Sequence, residues 1–190
     1  MSIYIRRMRE EDIPQVVEIE NIAFSRPWSK SIFKAALLLP YAAYYVAVEQ
    51  SEDKPQGGMT AAQKRSEATI PCGIPAAQNT LKDLLSEGDR KNGIGEKIVG
   101  MCGVKKIFEE GDISNVAVHP DYRGRGISRQ MLDMLMREAR EDGVTAFTLE
   151  VRAGNRPAIC LYESYGFRTE GIRPRFYEDP VEDGLVMWLR

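Results

Sequence analysis

The sequence is poor in the residues on which several large classes of protein depend. It has one histidine, His119, and three cysteines, Cys72, Cys102 and Cys160, among 190 residues. An odd number of widely spaced cysteines supplies neither a disulfide framework nor a paired set of zinc ligands. A single histidine is the only candidate for a Ser-His-Asp or Cys-His mechanism, and this excludes most hydrolase arrangements.

Long apolar runs and an excess of basic charge are also missing. The longest apolar runs, such as Ala35 to Leu39, are far shorter than the roughly 18 to 20 residues that span a bilayer. Residues 1–9 become charged within a few positions and show no apolar run followed by a small-residue cleavage site. The net charge of -2 does not provide the clustered Lys and Arg of a broad nucleic-acid surface. We therefore expect a cytoplasmic protein that binds neither membranes nor nucleic acids.

The composition is sufficient for one globular domain. A hydrophobic fraction of 43% and a charged fraction of 28% are ordinary for globular proteins, and 190 residues fit one domain. We expect residues 1–190 to form this single domain and the protein to be a monomer. Residues 51–96 differ in character from the rest of the chain, because Gly and Pro interrupt any long hydrophobic periodicity there. We expect a flexible insertion whose only helical stretch is 80–85; the alternative is a substrate lid or a partner arm.

Hydrophobic periodicity predicts a mixed α/β fold in the rest of the chain. Two helices are expected between residues 10 and 39, and two more at 126–141 and 156–165. Strands are expected at 3–8, 44–49, 97–108, 112–118, 146–152, 167–172 and 184–189. From residue 113 onward the order is strand, helix, strand, helix, strand, strand. This order implies one right-handed parallel crossover in an otherwise antiparallel sheet.

The segment 122–128, Tyr-Arg-Gly-Arg-Gly-Ile-Ser, connects a predicted strand to an amphipathic helix. Backbone N–H groups at a glycine-rich turn, together with the positive end of a helix, can hold phosphate oxygens, and the arginines can reach a second phosphate. The Gly-Lys-Ser/Thr of a Walker loop is absent from the segment. The same turn also occurs as a plain helix start, so both interpretations stay open from this segment alone.

Glu150 is a polar residue in a strand that the helical crossover places inside the sheet. Thr148, Glu150 and Arg152 alternate with apolar neighbours and face one side of the strand. A carboxylate in that position must be paired, hydrogen-bonded or open to a cavity. One interpretation is a structural ion pair, for example with Arg152. The other is a general base at the wall of a cleft, where desolvation strengthens a carboxylate as a base.

Two further polar residues lie on or next to the short helix that follows. Tyr162 comes twelve positions after Glu150, so its phenol can reach the same cleft, although an aromatic residue at helical spacing is more often part of the core. Asn155 is in the first place a helix cap. His119 lies at the exit of a predicted strand, at the phosphate end of the site, and we expect it to be structural.

Together, these segments resemble the acetyl-CoA-dependent N-acetyltransferase superfamily, the GNAT fold. Its signature Gln/Arg-x-x-Gly-x-Gly/Ala is matched by Arg123-x-x-Gly126-x-Ser128, in which Ser128 departs from the usual small apolar residue. Residues 27–29, 113–122, 149–152, 161–164 and 173–177 are similar to the members that acetylate the N-terminal alanine of a small-subunit ribosomal protein. The resemblance covers nearly everything except residues 51–96. It implies a mixed, mostly antiparallel twisted sheet with a central parallel strand pair and helices on both faces.

The resemblance also implies a cosubstrate, a partner and a set of site residues. The cosubstrate is acetyl-CoA, no metal is involved, and the partner is the N-terminus of a ribosomal protein. Glu150 is implied as the general base and Tyr162 as the general acid of a direct attack without an acyl-enzyme. The implied cofactor-binding residues are Val116, Ala117 and Val118 for the pantetheine arm, Gly124, Arg125, Gly126, Ile127, Ser128 and Arg129 for the pyrophosphate, and Asn155 near the thioester.

Two alternatives to a protein acceptor are considered. The first keeps the fold and the cosubstrate but acetylates a small amine, such as an aminoglycoside or a polyamine. The second is a non-catalytic acyl-CoA-binding module, which would be expected to lose the base or the acid. The presence of both Glu150 and Tyr162, together with Pro27-Trp28, favours the protein acceptor.

Overall fold

A computed structural model describes residues 2–50 and 96–190. The predicted insertion, with its helical stretch at 80–85, lies outside the described residues apart from Glu96. That residue was assigned to the insertion but is the first residue of a strand, so the assignment was one residue too long.

Seven strands and four α-helices, with two short 3₁₀ turns, make up the described chain. The strands are β1 (Ser2–Arg7), β2 (Ala42–Gln50), β3 (Glu96–Ile107), β4 (Glu110–Val118), β5 (Ala146–Arg152), β6 (Arg168–Glu178) and β7 (Val181–Leu189). The helices are α1 (Ile13–Ala23), α2 (Lys30–Leu37), α3 (Ile127–Glu141) and α4 (Arg156–Ser164), and the 3₁₀ turns are Glu10–Asp12 and Pro120–Tyr122. No helix among the described residues is long and apolar enough to cross a membrane.

The elements predicted within residues 2–50 and 96–190 are all present, with differences at their ends. Strand β4 begins at Glu110, which the sequence suggested to be part of a turn. The turn is tighter than expected because Phe108 adopts a left-handed φ of 55° and reverses the chain there. Strands β6 and β7 also run further toward each other than predicted, since they form one long antiparallel hairpin.

The strands form one sheet in the order β1-β2-β3-β4-β5-β7-β6. Five of the six neighbouring pairs are antiparallel, and only β4 and β5 are parallel. Helix α3 makes the crossover between these two central strands. The mixed sheet with a central parallel pair is therefore confirmed.

Helices cover both faces of the sheet, as predicted. On one face, α3 contributes Met131 and Leu135, which pack with Phe147 of β5 in the larger core cluster. On the other face, α1 and α2 contribute Val16 and Phe33 to a second cluster. The apolar stripe of each helix is buried against the sheet, and this burial is worth about 1.5–3 kcal/mol for each large side chain.

The central strands separate part-way along their length. Hydrogen-bonded pairing of β4 with β5 ends at Ile113 opposite Leu149. On its other side β4 contains a bulge, since Val104 of β3 pairs with Ile113 and Cys102 pairs with Val116. The extra residue of a bulge bends and twists its strand. Among the described strands, none pairs with the β5-facing edge of β4 beyond residue 113.

Candidate active site

A cavity of about 510 Å³ lies beside the unpaired part of β4. Val116, Ala117 and Val118 line it, and their other edge is hydrogen-bonded to β3. Backbone groups on the unpaired edge are therefore available to an extended ligand, which can add to β4 as another strand would. One of them is already engaged, because the Arg123 Nε donates to the Val118 carbonyl at 3.2 Å. We call this space the glycine-turn cavity, after the turn that forms its other end.

The turn before α3 contains two glycines in left-handed conformation. Gly124 has a φ of 75° and Gly126, the N-cap of α3, a φ of 74°. A Cβ at either position would meet no atom within 4 Å, so the backbone conformation and not crowding favours glycine there. The first N–H groups of a 15-residue helix have no intrahelical partner and attract an anion. Gly124 and residues 126–129 line the cavity, so the turn is suited to phosphate oxygens.

The arginines of this turn point in different directions. Arg123 and Arg129 line the glycine-turn cavity, and Arg125 does not. The Arg125 guanidinium donates to the Asp121 carbonyl at 3.0 Å and lies 4.8 Å from the centre of the Tyr122 ring. The role of Arg125 as a ligand of the pyrophosphate stays a prediction. Of the two arginines that line the cavity, Arg123 was not among the predicted cofactor-binding residues.

A second cavity, of about 200 Å³, contains Glu150, and we call it the Glu150 cavity. It adjoins the glycine-turn cavity, because six residues line both spaces. These shared residues are Ala23, Phe24, Val116, Asn155, Ala158 and Tyr162. The opening between β4 and β5 thus connects a turn suited to phosphate with a carboxylate.

The Glu150 side chain is 34% exposed and forms an ion pair with Arg173 of β6. The distance from its Oε1 to Nη1 of Arg173 is 2.5 Å. The interpretation of Glu150 as part of a structural ion pair is therefore confirmed, but the partner is Arg173 and not Arg152, because Arg152 pairs with Glu182 at 3.1 Å. The picture of a desolvated carboxylate is also wrong, because both solvent and a cation reach the group. Glu150 does line the cavity, as the cleft interpretation requires.

Tyr162 lies where the two cavities meet and is 7% exposed. Its ring packs against Phe167, with the ring centres 5.9 Å apart. Burial raises the pKa of the Tyr162 phenol well above its usual value of 10.0. The hydroxyl is protonated at neutral pH, as any phenol is, and can donate a hydrogen bond, but the raised pKa makes it a weaker acid than a free tyrosine.

Asn155 and His119 both act as caps. The Asn155 Oδ1 accepts a hydrogen bond from the Ala158 N–H at 3.3 Å at the start of α4, and the residue also lines both cavities. The His119 Nδ1 accepts from the Asp121 N–H at 3.3 Å. The cap at Asn155 is as predicted, and His119 has the structural position expected of it.

Glu20 of α1 is a buried carboxyl that no motif or periodicity in the sequence singles out. It is 1% exposed, and its Oε1 accepts from Asn115 Nδ2 at 2.8 Å and from the Trp28 N–H at 3.3 Å. Its Oε2 is buried and has no hydrogen-bond partner among the described residues. Burial raises the pKa of Glu20 to about 7. Asn115 lies in the β4 bulge, so Glu20 connects α1 to the point where β4 leaves β5.

A larger surface concavity, of about 820 Å³, lies at the opposite end of β4. It is lined by residues of the β3–β4 turn, including Phe108, and by Arg190, and it contains none of the predicted site residues. Within the described ranges, 2–50 and 96–190, no group of three or more potential metal ligands is found.

Comparison with known proteins identifies the family. Residues 84–167 match the model of the acetyltransferase (GNAT) family. The ribosomal protein bS18-alanine N-acetyltransferase of Haemophilus influenzae is 32% identical over 121 residues, which cover 60% of this chain and 81% of that enzyme. The chain belongs to the GNAT acetyltransferase family. A Bacillus subtilis protein named as a putative ribosomal protein bS18-alanine N-acetyltransferase is 29% identical to this GNAT acetyltransferase over 185 residues, which cover 97% of this chain and 93% of that protein.

A solved structure agrees with the fold of this GNAT acetyltransferase. The crystal structure of the ribosomal-protein-S18-alanine N-acetyltransferase from Escherichia coli superposes with a TM-score of 0.68 and 26% identity. The superposition covers 99% of this chain and 93% of that chain. The resemblance on which the sequence analysis relied is confirmed at the level of fold, family and enzyme class.

Proposed function

We propose that this enzyme transfers the acetyl group of acetyl-CoA to the N-terminal alanine of the small-subunit ribosomal protein bS18. The Haemophilus influenzae relative and the Escherichia coli structure carry the name of that activity. The observation that carries the proposal is the meeting of the two cavities at Tyr162, with a glycine-rich helix start on one side and Glu150 on the other.

The glycine-turn cavity fits the cosubstrate. The N–H groups at the start of α3 would hold the pyrophosphate, and the free edge of Val116–Val118 would pair with the pantetheine arm. Arg123 and Arg129, at the wall of the same cavity, add positive charge near the phosphates. We call the place where the two cavities meet the junction. When bound, acetyl-CoA would supply its thioester at this junction, beside Asn155 and Tyr162.

Glu150 would accept the proton of the incoming amine, either directly or through water. A peptide α-amine has a pKa near ~8, so part of it is charged at neutral pH and must be deprotonated before it can attack. The ion pair with Arg173 engages Oε1 of Glu150. This arrangement leaves the other carboxylate oxygen for the proton.

The remaining steps use the strand β4 and Tyr162. A backbone N–H of Val116–Val118 would donate to the thioester oxygen as negative charge develops on it. The amine attacks the carbonyl carbon, the carbon–sulfur bond breaks, and Tyr162 gives its proton to the departing thiolate. The nitrogen loses its second proton as the amide forms, and a proton taken up through water returns the Tyr162 phenolate to its neutral form. No acyl-enzyme is formed, and holding the two reactants at the junction supplies much of the rate.

The test is the acetylation of a peptide that begins Ala-Arg. The reaction is measured by the release of free thiol and by the increase in mass of the peptide N-terminus. Glu150→Gln should lower kcat by roughly 10² to 10⁴-fold with little change in the affinity for acetyl-CoA. Glu141→Gln, an exposed change on α3, is the matched control. An unchanged kcat in Glu150→Gln would assign the proton transfer to another group.

Two other outcomes would overturn the proposed acceptor. A protein that binds acetyl-CoA but releases no thiol with the peptide is a binding module. A higher kcat/KM for a small amine than for the peptide would make the enzyme a small-molecule acetyltransferase. In cells that lack the protein, the N-terminal alanine of bS18 should lose its acetyl group, as measured by mass spectrometry.

A further inference from the structure

The wall of the Glu150 cavity is built from segments that are far apart in the sequence. Ser25 and Arg26 come from the connection between α1 and α2, and Tyr177 comes from the end of β6. Both segments line the space that would take the acceptor. The distance between them therefore helps to shape this space.

Arg152 of β5 binds both segments at once. Its Nη2 donates to the Ser25 Oγ at 3.1 Å and to the Asp179 carbonyl at 2.7 Å. Its Nη1 donates to the Pro180 carbonyl at 3.0 Å and to the Glu182 carboxylate at 3.1 Å. One guanidinium thus joins the α1–α2 connection to the turn between β6 and β7.

The surroundings of Arg152 hold it in this position. Its guanidinium carbon lies 4.2 Å from the centre of the Tyr177 ring, and its side chain is 25% exposed. The planar group has five N–H donors in a fixed arrangement, which a lysine cannot reproduce. An ion pair between Arg26 and Glu178 joins the same two segments, so Arg152 is the inner of two connections.

We propose that Arg152 is a positioning residue for the acceptor substrate, acting by fixing the distance between the α1–α2 connection and the β6–β7 turn. The proposal rests on the proposed function, since it needs a peptide acceptor in the Glu150 cavity. Arg152 lines that cavity and does not line the glycine-turn cavity. Its loss should therefore affect the peptide and spare acetyl-CoA.

The experiment compares Arg152→Lys and Arg152→Met with the wild type in steady-state kinetics. The KM for the Ala-Arg peptide should rise roughly ten-fold in both variants. The reason is that the hydrogen bonds by which the charged guanidinium joins the α1–α2 connection to the β6–β7 turn are lost. The KM for acetyl-CoA should stay within about two-fold. Ser25→Ala, which removes only the contact to the α1–α2 connection, should change the peptide KM in the same direction by less.

Arg190→Met is the matched control. Arg190 also pairs with a glutamate, Glu170 at 2.9 Å, and also lies over an aromatic ring, Trp188 at 4.4 Å. It lines neither of the two cavities. The peptide KM of this variant should equal that of the wild type.

Hydrogen exchange gives a readout that does not depend on activity. In Arg152→Met, the amides of residues 25–28 and 177–182 should exchange faster, and those of Val116–Val118 should not. If the wild type does not acetylate the peptide, the proposed function fails, and faster exchange in these two segments still supports the connection made by Arg152. Unchanged exchange, or an equal rise in KM for both substrates, overturns the role of Arg152.

Discussion

The buried carboxyl of Glu20 makes the stability of this enzyme depend on pH in a predictable direction. Its pKa is raised from 4.5 to about 7 because the carboxyl is buried. The folded state therefore holds the proton more tightly than the unfolded chain. The resulting stabilisation is complete below about pH 4.5 and is lost as the pH rises through about 7. At about 1.4 kcal/mol per pKa unit, the loss amounts to about 3 kcal/mol.

Glu20→Gln removes this ionisation and keeps the shape of the side chain. The amide oxygen can still accept from Asn115 and from the Trp28 N–H. The amide nitrogen takes the place of the unpartnered Oε2, and any cost of leaving it unpaired is the same at every pH. The free energy of unfolding of the variant should thus rise relative to the wild type by about 2.5 kcal/mol between pH 5 and pH 8.

The measurement is urea unfolding followed by tryptophan fluorescence at several pH values from 5 to 8.5. The difference in unfolding free energy between variant and wild type is plotted against pH, so constant offsets cancel. Glu141→Gln, in an exposed part of α3, should give a flat difference. If the Glu20→Gln difference is equally flat, Glu20 has an ordinary pKa in the folded protein and the reasoning is refuted.

Two further predictions concern the junction and the glycine turn. Tyr162→Phe should lower kcat by roughly 10²-fold with unchanged circular dichroism, because it removes the phenol that we propose as the proton donor to the thiolate. Loss of cooperative melting would show instead that the side chain is needed for the core. Gly126→Ala should weaken acetyl-CoA binding in isothermal titration calorimetry and lower stability by about 1–2 kcal/mol, because a φ of 74° is strained for alanine. Gly171→Ala is its control, because φ is ordinary there and a Cβ would make only van der Waals contact with Val186. Equal binding by the two variants would contradict the role of the turn.

The order of the strands and helices could be predicted from the sequence because it depends on local periodicity. Alternation in 146–152 placed Glu150 on the face opposite Leu149, and the structure has it there, at the wall of a cavity. The bulge in β4 could not be predicted in this way. Two residues of β4, Ser114 and Asn115, stand opposite the single Gly103 of β3, and that count depends on the partner strand.

Contacts between strands that are far apart along the chain could not be predicted from the sequence either. Glu150 meets Arg173 only because β7 lies between β5 and β6 and sets their register. The direction in which the Arg125 side chain points depends on the left-handed backbone conformation of its two neighbours, Gly124 and Gly126. Motif spacing predicts which residues are near a turn, but the backbone torsions decide which side chains face the cavity.

The bulge in β4, the carboxyl of Glu20 and the end of the β4–β5 pairing lie next to one another. The extra residue in β4 places the Asn115 amide in an otherwise apolar layer, where an unpaired donor would be costly. Glu20 accepts from this amide and from the half-buried Trp28 N–H, and so satisfies two donors with one oxygen. The cost is a buried carboxyl that weakens the fold as the pH rises. This carboxyl lies next to the point where the pairing of β4 with β5 ends, where we propose that the acetyl donor and the acceptor meet.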